Sequence, residues 1–189
     1  MFNFLRQFFK NPQNTGAVWP SSNELADLIT NTAQLKTAKT AVEFGSGTGV
    51  FTEKIIQKIN PRATFFSIEI NPFFLQETKK KCPKAIVYED SAINVKKYLK
   101  KHGRNNCDCI ISGLPFASFD KSLQHKMLYA IYNSLNEHGE FLTFAYIHGL
   151  ILPAGLRFRK LLKSSFKNFK TTRIVWKNFP PAVVYCCKK

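Results

Sequence analysis

Three acidic side chains stand at the ends of successive apolar runs, where they could bind a cationic or hydroxylated ligand. Glu43 lies near the end of the first run, Glu69 near the end of the second, and Asp90 follows the third. A carboxylate favours a cation, can accept hydrogen bonds from both hydroxyls of a ribose, and can accept one from an adenine amine. If the runs are parallel strands, the three carboxylates line one crevice at the carboxyl edge of the sheet.

A glycine-rich segment, GSGTG, begins two residues beyond Glu43. Glycines let the chain turn sharply and let a ligand approach the backbone without a Cβ in the way. The alternating spacing differs from the dinucleotide pattern G-x-G-x-x-G. We therefore expect Gly45, Ser46, Gly47 and Gly49 to contact a ligand other than a dinucleotide.

Alternating strands and helices must position these residues. The hydrophobic pattern predicts strands at 40–44, 63–70, 85–88, 107–112, 140–146, 169–175 and 182–186. Helices are predicted after a capping box that starts at Ser21, and at 50–59, 72–81, 92–101, 121–136 and 155–163. This order predicts an α/β fold, a doubly wound, Rossmann-like seven-stranded sheet in which the two final strands are antiparallel neighbours.

Composition narrows the class of protein. The formal net charge is +16, from 28 Lys and Arg against 12 Asp and Glu, and it favours an anionic partner such as nucleic acid or a membrane surface. The five cysteines form no C-x-x-C pair, so we expect a reducing compartment, no disulfide framework and no metal site. No stretch has the apolar pattern expected of a signal peptide or of a helix that spans a membrane.

Two stretches combine apolar and basic residues. Residues 1–10 predict a helix with Phe2, Leu5 and Phe9 on one face and cations on the other, which suits a membrane interface. The stretch 157–170 interleaves apolar and basic residues in the same way. Each could instead pack on the core of the protein with its charges in solvent. The predicted organisation is an interface segment at 1–20 and one domain at 21–189.

The acidic tips and the glycine-rich turn resemble those of the class I S-adenosylmethionine (SAM)-dependent methyltransferases over about residues 41–116. The resemblance implies that the glycine-rich turn binds the methionyl part of SAM, Glu69 the ribose, and the region of Asp90 the adenine. It implies a wider set of SAM contacts: Ser22, Glu43, Gly45, Ser46, Gly47, Gly49, Glu69, Ile70, Asp90, Ser91, Ala92 and Ser112.

Three further motifs, GAVWPSS at 16–22, ISGLP at 111–115 and NFPPAVVY at 178–185, resemble the bacterial phospholipid N-methyltransferases. That resemblance implies methylation of phosphatidylethanolamine towards phosphatidylcholine, or of another amine lipid such as ornithine lipid. It implies a monomer that is cytoplasmic and peripheral on the inner face of the cell membrane. The expected acceptor contacts are Trp19, Gly113, Leu114, Pro115, Tyr146, Arg157, Asn178 and Tyr185.

An ammonium acceptor must lose a proton before its nitrogen can take a methyl group. Tyr146, at the end of the fifth predicted strand, and His148 are the candidate bases.

Two other classes of function stay open. The segment from Ser112 to Phe116 also resembles the N-L-P-Y loop of the rRNA adenine dimethylases, although Gly113 replaces the Asn that accepts hydrogen bonds there. A binding module without catalysis is the third reading, and the intact acidic set argues against it.

Overall fold

The computed structural model describes residues 21–189, and in them seven strands form one mixed sheet. The strands are β1 (Thr40–Phe44), β2 (Thr64–Glu69), β3 (Val87–Glu89), β4 (Cys107–Ser112), β5 (Leu135–Tyr146), β6 (Asn168–Thr171) and β7 (Ala182–Lys188). Their order is β3-β2-β1-β4-β5-β7-β6. Strand β7 lies between β5 and β6 and is antiparallel to both, so the predicted sheet is confirmed.

Helices cover both faces of this sheet. They are α1 (Asn23–Thr32), α2 (Val50–Lys58), α3 (Pro72–Lys81), α4 (Val95–Lys101), α5 (Lys121–Ser134) and α6 (Pro153–Ser165). Leu25 of α1 and Ile55 of α2 belong to the core on one face. Leu99 of α4, Ile131 of α5 and Leu162 of α6 belong to the core on the other face. The two cores follow from strand geometry, because successive residues of a strand point to opposite faces.

Several element ends differ from the sequence-based prediction. The predicted cap Ser21 is wrong, because the Ser22 hydroxyl accepts the hydrogen bond from the Leu25 N–H at 3.1 Å. Helix α5 ends at Ser134 and α6 begins at Pro153 rather than at residue 155. Proline is favoured in the first turn because the first N–H groups of a helix have no partner inside the helix.

The sixth strand is also shorter than predicted. It ends at Thr171, and the Thr172 hydroxyl then accepts a hydrogen bond from the Val184 N–H at 3.0 Å. The chain leaves the sheet there and returns at Val175 through a single bridge to Ala182.

The predicted helix at 1–10 lies outside the described residues. Among residues 21–189, no helix is long and apolar enough to cross a bilayer.

Candidate active site

A crevice opens at the carboxyl ends of β1 to β4, where the strand order reverses between β1 and β4. Such reversal points are where ligands bind in open α/β sheets. The crevice has an empty volume of about 370 Å³. Its walls are Gly45, Ile68, Ile70, Asp90, Ser91, Ala92, Leu114, Phe119, Leu123 and Met127. The structure thus brings together residues from all four predicted strand ends.

Two glycines let two loops approach each other at one side of the crevice. Gly45 has φ +73°, and a Cβ there would lie 2.6 Å from the Leu114 side chain. A Cβ on Gly113 would lie 2.7 Å from the Gly45 carbonyl oxygen. The Gly113 N–H donates to the Phe44 carbonyl at 2.8 Å. Glycine is therefore required at both positions for the loop after β4 to pack on the loop after β1.

Glu43 is fully buried below the glycine-rich turn. Its Oε2 accepts hydrogen bonds from the hydroxyls of Thr52 (2.7 Å) and Ser67. Its Oε1 has no protein partner. Burial raises the pKa of Glu43 to about 7, although the two hydroxyls act in the opposite direction. An unused carboxylate oxygen in the interior is costly unless a ligand donates to it.

Glu69 fixes the glycine-rich turn to the end of β2. Its Oε2 accepts the Gly47 N–H at 3.0 Å and its Oε1 accepts the Asn71 N–H at 2.9 Å. Burial raises the pKa of Glu69, while these backbone donors oppose the rise. Each oxygen retains a second acceptor site, because a carboxylate oxygen carries two lone pairs.

Helix α3 supports the turn through Thr78, a residue that the sequence analysis did not single out. The Thr78 hydroxyl lies 2.8 Å from the Gly47 carbonyl oxygen and 2.9 Å from the Ser46 hydroxyl. Because a carbonyl only accepts, Thr78 donates to Gly47 and accepts from Ser46. A Cβ on Gly49 would lie 3.3 Å from the Thr78 Cα, so Gly49 is in tight contact with this helix.

Asp90 stands at the far wall of the crevice and is ionised by its neighbours. Burial opposes its ionisation, but hydrogen bonds from Tyr98 (2.7 Å), Asn94 (2.8 Å), the Ser91 N–H (2.7 Å) and Lys97 (3.3 Å) outweigh burial and lower its pKa to about 2. Much of its hydrogen-bonding capacity is therefore used inside the protein. Next to it, Ser91 caps the short 3₁₀ turn Ala92–Asn94.

Part of the crevice wall was missed from the sequence. Phe119, Leu123 and Met127 close its outer side. Leu123 and Met127 are both buried on α5. Their position at the start of the helix that follows β4 was the available signal, because that turn lies at the carboxyl edge of the sheet.

The residues present fit a ligand that carries a cation, a ribose and a purine. The unpartnered Glu43 oxygen suits an ammonium group, and Gly45 and Gly113 keep the two loops beside the crevice in close contact. Glu69 has acceptor sites for hydroxyls, and the apolar crevice beside Asp90 suits a flat base.

The two candidate bases lie together at the end of β5, where Tyr146 is the last residue of the strand and His148 follows it. The rings of Tyr146 and His148 stack with their centroids 5.5 Å apart and 15° between their planes. Burial raises the pKa of Tyr146 above its usual value of 10. The phenol therefore keeps its proton at neutral pH, and it can accept a hydrogen bond from an amine but cannot take up a proton. His148 is exposed.

Arg157, a predicted acceptor contact, joins α6 to the segment that walls the crevice. Its Nε donates to Gln124 Oε1 at 2.9 Å and its Nη2 donates to the Phe119 carbonyl at 3.4 Å. The Gln124 amide in turn donates to the carbonyls of Phe116 (2.8 Å) and Ala154 (2.9 Å). The contact of Arg157 with an acceptor stays a prediction.

The motifs at the two ends of the described chain meet through Asn178. Its Oδ1 accepts the Ser22 N–H at 2.9 Å and its Nδ2 donates to the Pro180 carbonyl at 2.6 Å. Asn178 is buried and joins the two ends of the described chain, and its substrate contact stays a prediction. Ser22 lies at this junction and caps α1, outside the walls of the crevice.

The ring of Tyr185, another predicted acceptor contact, is buried in the core against Phe169. Trp19 lies outside the described residues. Ser112 is buried, and its hydroxyl accepts the Leu114 N–H at 3.2 Å. Pro115 directly precedes the short 3₁₀ turn Phe116–Ser118.

Comparisons with known proteins agree on the fold. No protein-family model matches the chain. An ornithine lipid N-methyltransferase from Singulisphaera acidiphila is 26% identical over 190 residues, which cover 99% of this chain and 95% of that protein. The O-methyltransferase TomG of Streptomyces achromogenes, solved with SAM, has a TM-score of 0.70 at 12% identity and covers 100% of this chain and 89% of its own.

An O-methyltransferase from Bacillus cereus, solved with SAH, also has a TM-score of 0.70, at 11% identity, with 100% of this chain and 90% of that chain covered. At these identities the solved structures establish the fold and not the substrate. The chain therefore has the Rossmann-like α/β fold of the methyltransferases, with a seven-stranded mixed sheet.

Proposed function

We propose that this protein is a SAM-dependent N-methyltransferase that acts on the amine head group of a membrane lipid. The observation that carries the SAM part is the buried and unpartnered Oε1 of Glu43 beneath the glycine-rich turn. A pyrophosphate would be repelled there, whereas the ammonium group of a methionyl ligand would be attracted. The lipid part is supported by the sequence relative, which is named for methylation of ornithine lipid.

The side chains around the crevice then have distinct roles in binding. Glu43 accepts from the ammonium group, Glu69 accepts from ribose hydroxyls, and the apolar wall with Ile70, Ala92 and Met127 surrounds the adenine. When bound, SAM supplies an activated methyl group for direct displacement by a nitrogen. The protein contributes alignment, because the loops after β1 and β4 are in fixed contact at Gly45 and Gly113.

Tyr146 orients the acceptor amine by accepting a hydrogen bond at its phenolic oxygen. Its raised pKa makes it unsuitable as the proton acceptor. The amine must therefore lose its proton to solvent or to the exposed His148. Desolvation of the ammonium group at the site would assist, since burial disfavours the charged form.

Two amine lipids are candidates, and ornithine lipid is favoured. Two donors of Arg157, a predicted acceptor contact, are bonded to Gln124 and the Phe119 carbonyl, so fewer of its donors remain for a lipid phosphate. The sequence relative also points to ornithine lipid, which has no phosphate in its head group. Phosphatidylethanolamine is the second candidate, and the resemblance of the three motifs to phospholipid N-methyltransferases supports it. We propose a peripheral location on the inner, anionic face of the cell membrane for either lipid.

A nucleic-acid amine is disfavoured as acceptor. The Asn of the adenine loop has no equivalent here, and a Cβ at Gly113 would meet the Gly45 carbonyl at 2.7 Å. No side chain fits at that position without movement of one of the two loops.

Radiolabelled SAM tests the proposal directly. The protein is incubated separately with vesicles of ornithine lipid, vesicles of phosphatidylethanolamine, and rRNA. We expect label in ornithine lipid first and no label in rRNA. Glu69→Gln should abolish transfer, while Glu77→Gln, on the outer side of α3, should leave transfer intact. Label that appears in rRNA alone would contradict the proposal.

A further inference from the structure

Four large apolar side chains are exposed near the end of β5, the strand that carries Tyr146. Ile151, Leu152 and Leu156 lie at the start of α6, and Trp176 lies between β6 and β7. Their exposed fractions are 77%, 44%, 50% and 70%. We call these four residues the apolar rim. A soluble surface rarely exposes several large apolar side chains in one place without a partner.

The two parts of the rim are joined by backbone contacts. The Ile147 N–H donates to the Pro181 carbonyl at 2.9 Å, and Ala182 pairs with Tyr146 across the β5–β7 ladder. Val175, directly before Trp176, bridges to the same Ala182. Trp176 and the start of α6 therefore flank the strand end that carries Tyr146.

The charge around the rim is of one sign. No Asp or Glu occurs after Glu140, so the whole stretch that forms β7, α6 and the rim has only basic charged residues. Lys160, Arg173 and Lys177 are exposed close to the rim in sequence. Exposed apolar residues with surrounding cations match the interface of a bilayer that contains anionic lipid, because the apolar groups enter the acyl boundary and the cations meet the head groups.

We infer that the apolar rim inserts into the surface of an anionic membrane and holds the mouth of the site against the lipid head groups. This inference rests on the proposed function, in which the acceptor is a membrane lipid. It assigns the membrane contact to α6 and to the segment that follows β6, within the described domain. A lipid amine can then reach Tyr146 without the whole lipid leaving the bilayer.

The fluorescence of Trp176 tests the insertion. The chain has two tryptophans, and Trp19→Phe leaves Trp176 as the sole emitter. With phosphatidylglycerol vesicles, we expect a blue shift of the emission and quenching by lipids brominated near the carbonyl end of the acyl chain. Vesicle binding with unchanged Trp176 emission would overturn the inference, as would wild-type protein that binds no vesicles.

Co-sedimentation with vesicles gives a second test, in which the substitutions are made in the otherwise wild-type chain. Trp176→Ala with Ile151→Ala should weaken partition into the same vesicles by about tenfold or more, because the two side chains lose their apolar contact with the acyl region. Tyr129→Ala with Ile56→Ala is the matched control, since both residues are exposed on helices away from the rim. The control should change partition by less than about twofold. Equal losses in the two double variants would overturn the inference.

The outcomes separate this inference from the proposed function. If Trp176 inserts into the bilayer but no amine lipid is methylated, the proposed function is refuted and the inference about the apolar rim stands. If the lipid of the vesicles is methylated but Trp176 does not insert, the inference about the apolar rim is refuted and the proposed function stands. A dimer that the rim variant converts to monomers, with unchanged vesicle partition, would assign the rim to a second copy of the chain and overturn the inference.

Discussion

The buried carboxyl of Glu43 couples ligand binding to protons. Burial raises its pKa to about 7, so without a ligand the group is protonated over much of the range between its ordinary value of 4.5 and neutrality. An ammonium group that binds at Oε1 requires the ionised form. Proton release should therefore accompany SAM binding.

The affinity for SAM should fall as the pH decreases below 7. We expect the Kd to rise by up to about tenfold per pH unit in this range, because one proton competes with the ligand. Isothermal titration at several pH values measures this slope. Glu43→Gln should bind SAM more weakly and with a much flatter pH profile, and a wild-type affinity independent of pH would count against the contact.

The same group makes stability depend on pH in the opposite sense to an ordinary surface carboxylate. The folded state binds more protons than the unfolded state between pH 4.5 and 7, so the free energy of unfolding falls as the pH rises through this window. Glu43→Gln should make that fall smaller in the SAM-free protein, while the buried Glu69, whose pKa is also raised, keeps its own share. Urea unfolding of the wild type and of Glu43→Gln at pH 5 and pH 8 measures the difference.

Gly113→Ala should reduce SAM affinity by about tenfold or more, because its Cβ would push the loop after β4 away from the Gly45 carbonyl. Gly149→Ala is the control, since a Cβ there makes an ordinary 3.4 Å contact with Ala117. Calorimetry of SAM binding measures both. Equal affinities for the two variants would show that the loop contact does not shape the site.

Tyr146→Phe should lower kcat on lipid vesicles by about tenfold, the value of one hydrogen bond, while the Kd for SAM stays constant. The reason is that the phenolic oxygen orients the amine and makes no contact assigned to SAM. Unchanged turnover would remove Tyr146 from the acceptor site.

At this scale the sequence predicted the three carboxylates and the glycine-rich turn because strand ends converge on one edge of a parallel sheet. It did not predict Thr78, whose role depends on how α3 packs on the turn. It did not predict that Tyr185 and Asn178 are buried, because a motif alone does not reveal how far a side chain is covered by the rest of the fold.

The elements themselves were largely predictable, since the alternation of apolar runs fixes a doubly wound sheet. The residues at which these elements begin and end were less predictable. The end of β6 depends on the bond between Thr172 and Val184, and the start of β5 at Leu135 depends on pairing with Cys107. Both are contacts between residues far apart in sequence, which a local pattern does not contain.

Asn178→Ala should lower the free energy of unfolding by about 2–3 kcal/mol, because it leaves the Ser22 N–H and the Pro180 carbonyl without their buried partner. The urea midpoint measures the loss. Asn133→Ala, on the exposed side of α5, should change the midpoint little. If the two variants unfold alike, Asn178 does not join the ends of the domain.

The whole molecule carries a charge of +16, and the sequence places an amphipathic stretch at residues 1–10. We predict that deletion of residues 1–10 weakens binding to anionic vesicles and leaves the Kd for SAM unchanged, because the stretch contributes apolar contact and cations to the membrane. Flotation at low and high salt measures the loss. Unchanged vesicle binding would show that the rest of the chain supplies the whole membrane contact.

The central claim is methylation of a lipid amine nitrogen, on a fold shared with O-methyltransferases. The most direct measurement is tandem mass spectrometry of ornithine lipid and phosphatidylethanolamine after incubation with the protein and SAM that carries a deuterated methyl group. The account predicts that the deuterated methyl appears on the head-group nitrogen of at least one of these lipids. Label on an oxygen, or no label in either lipid, would contradict it.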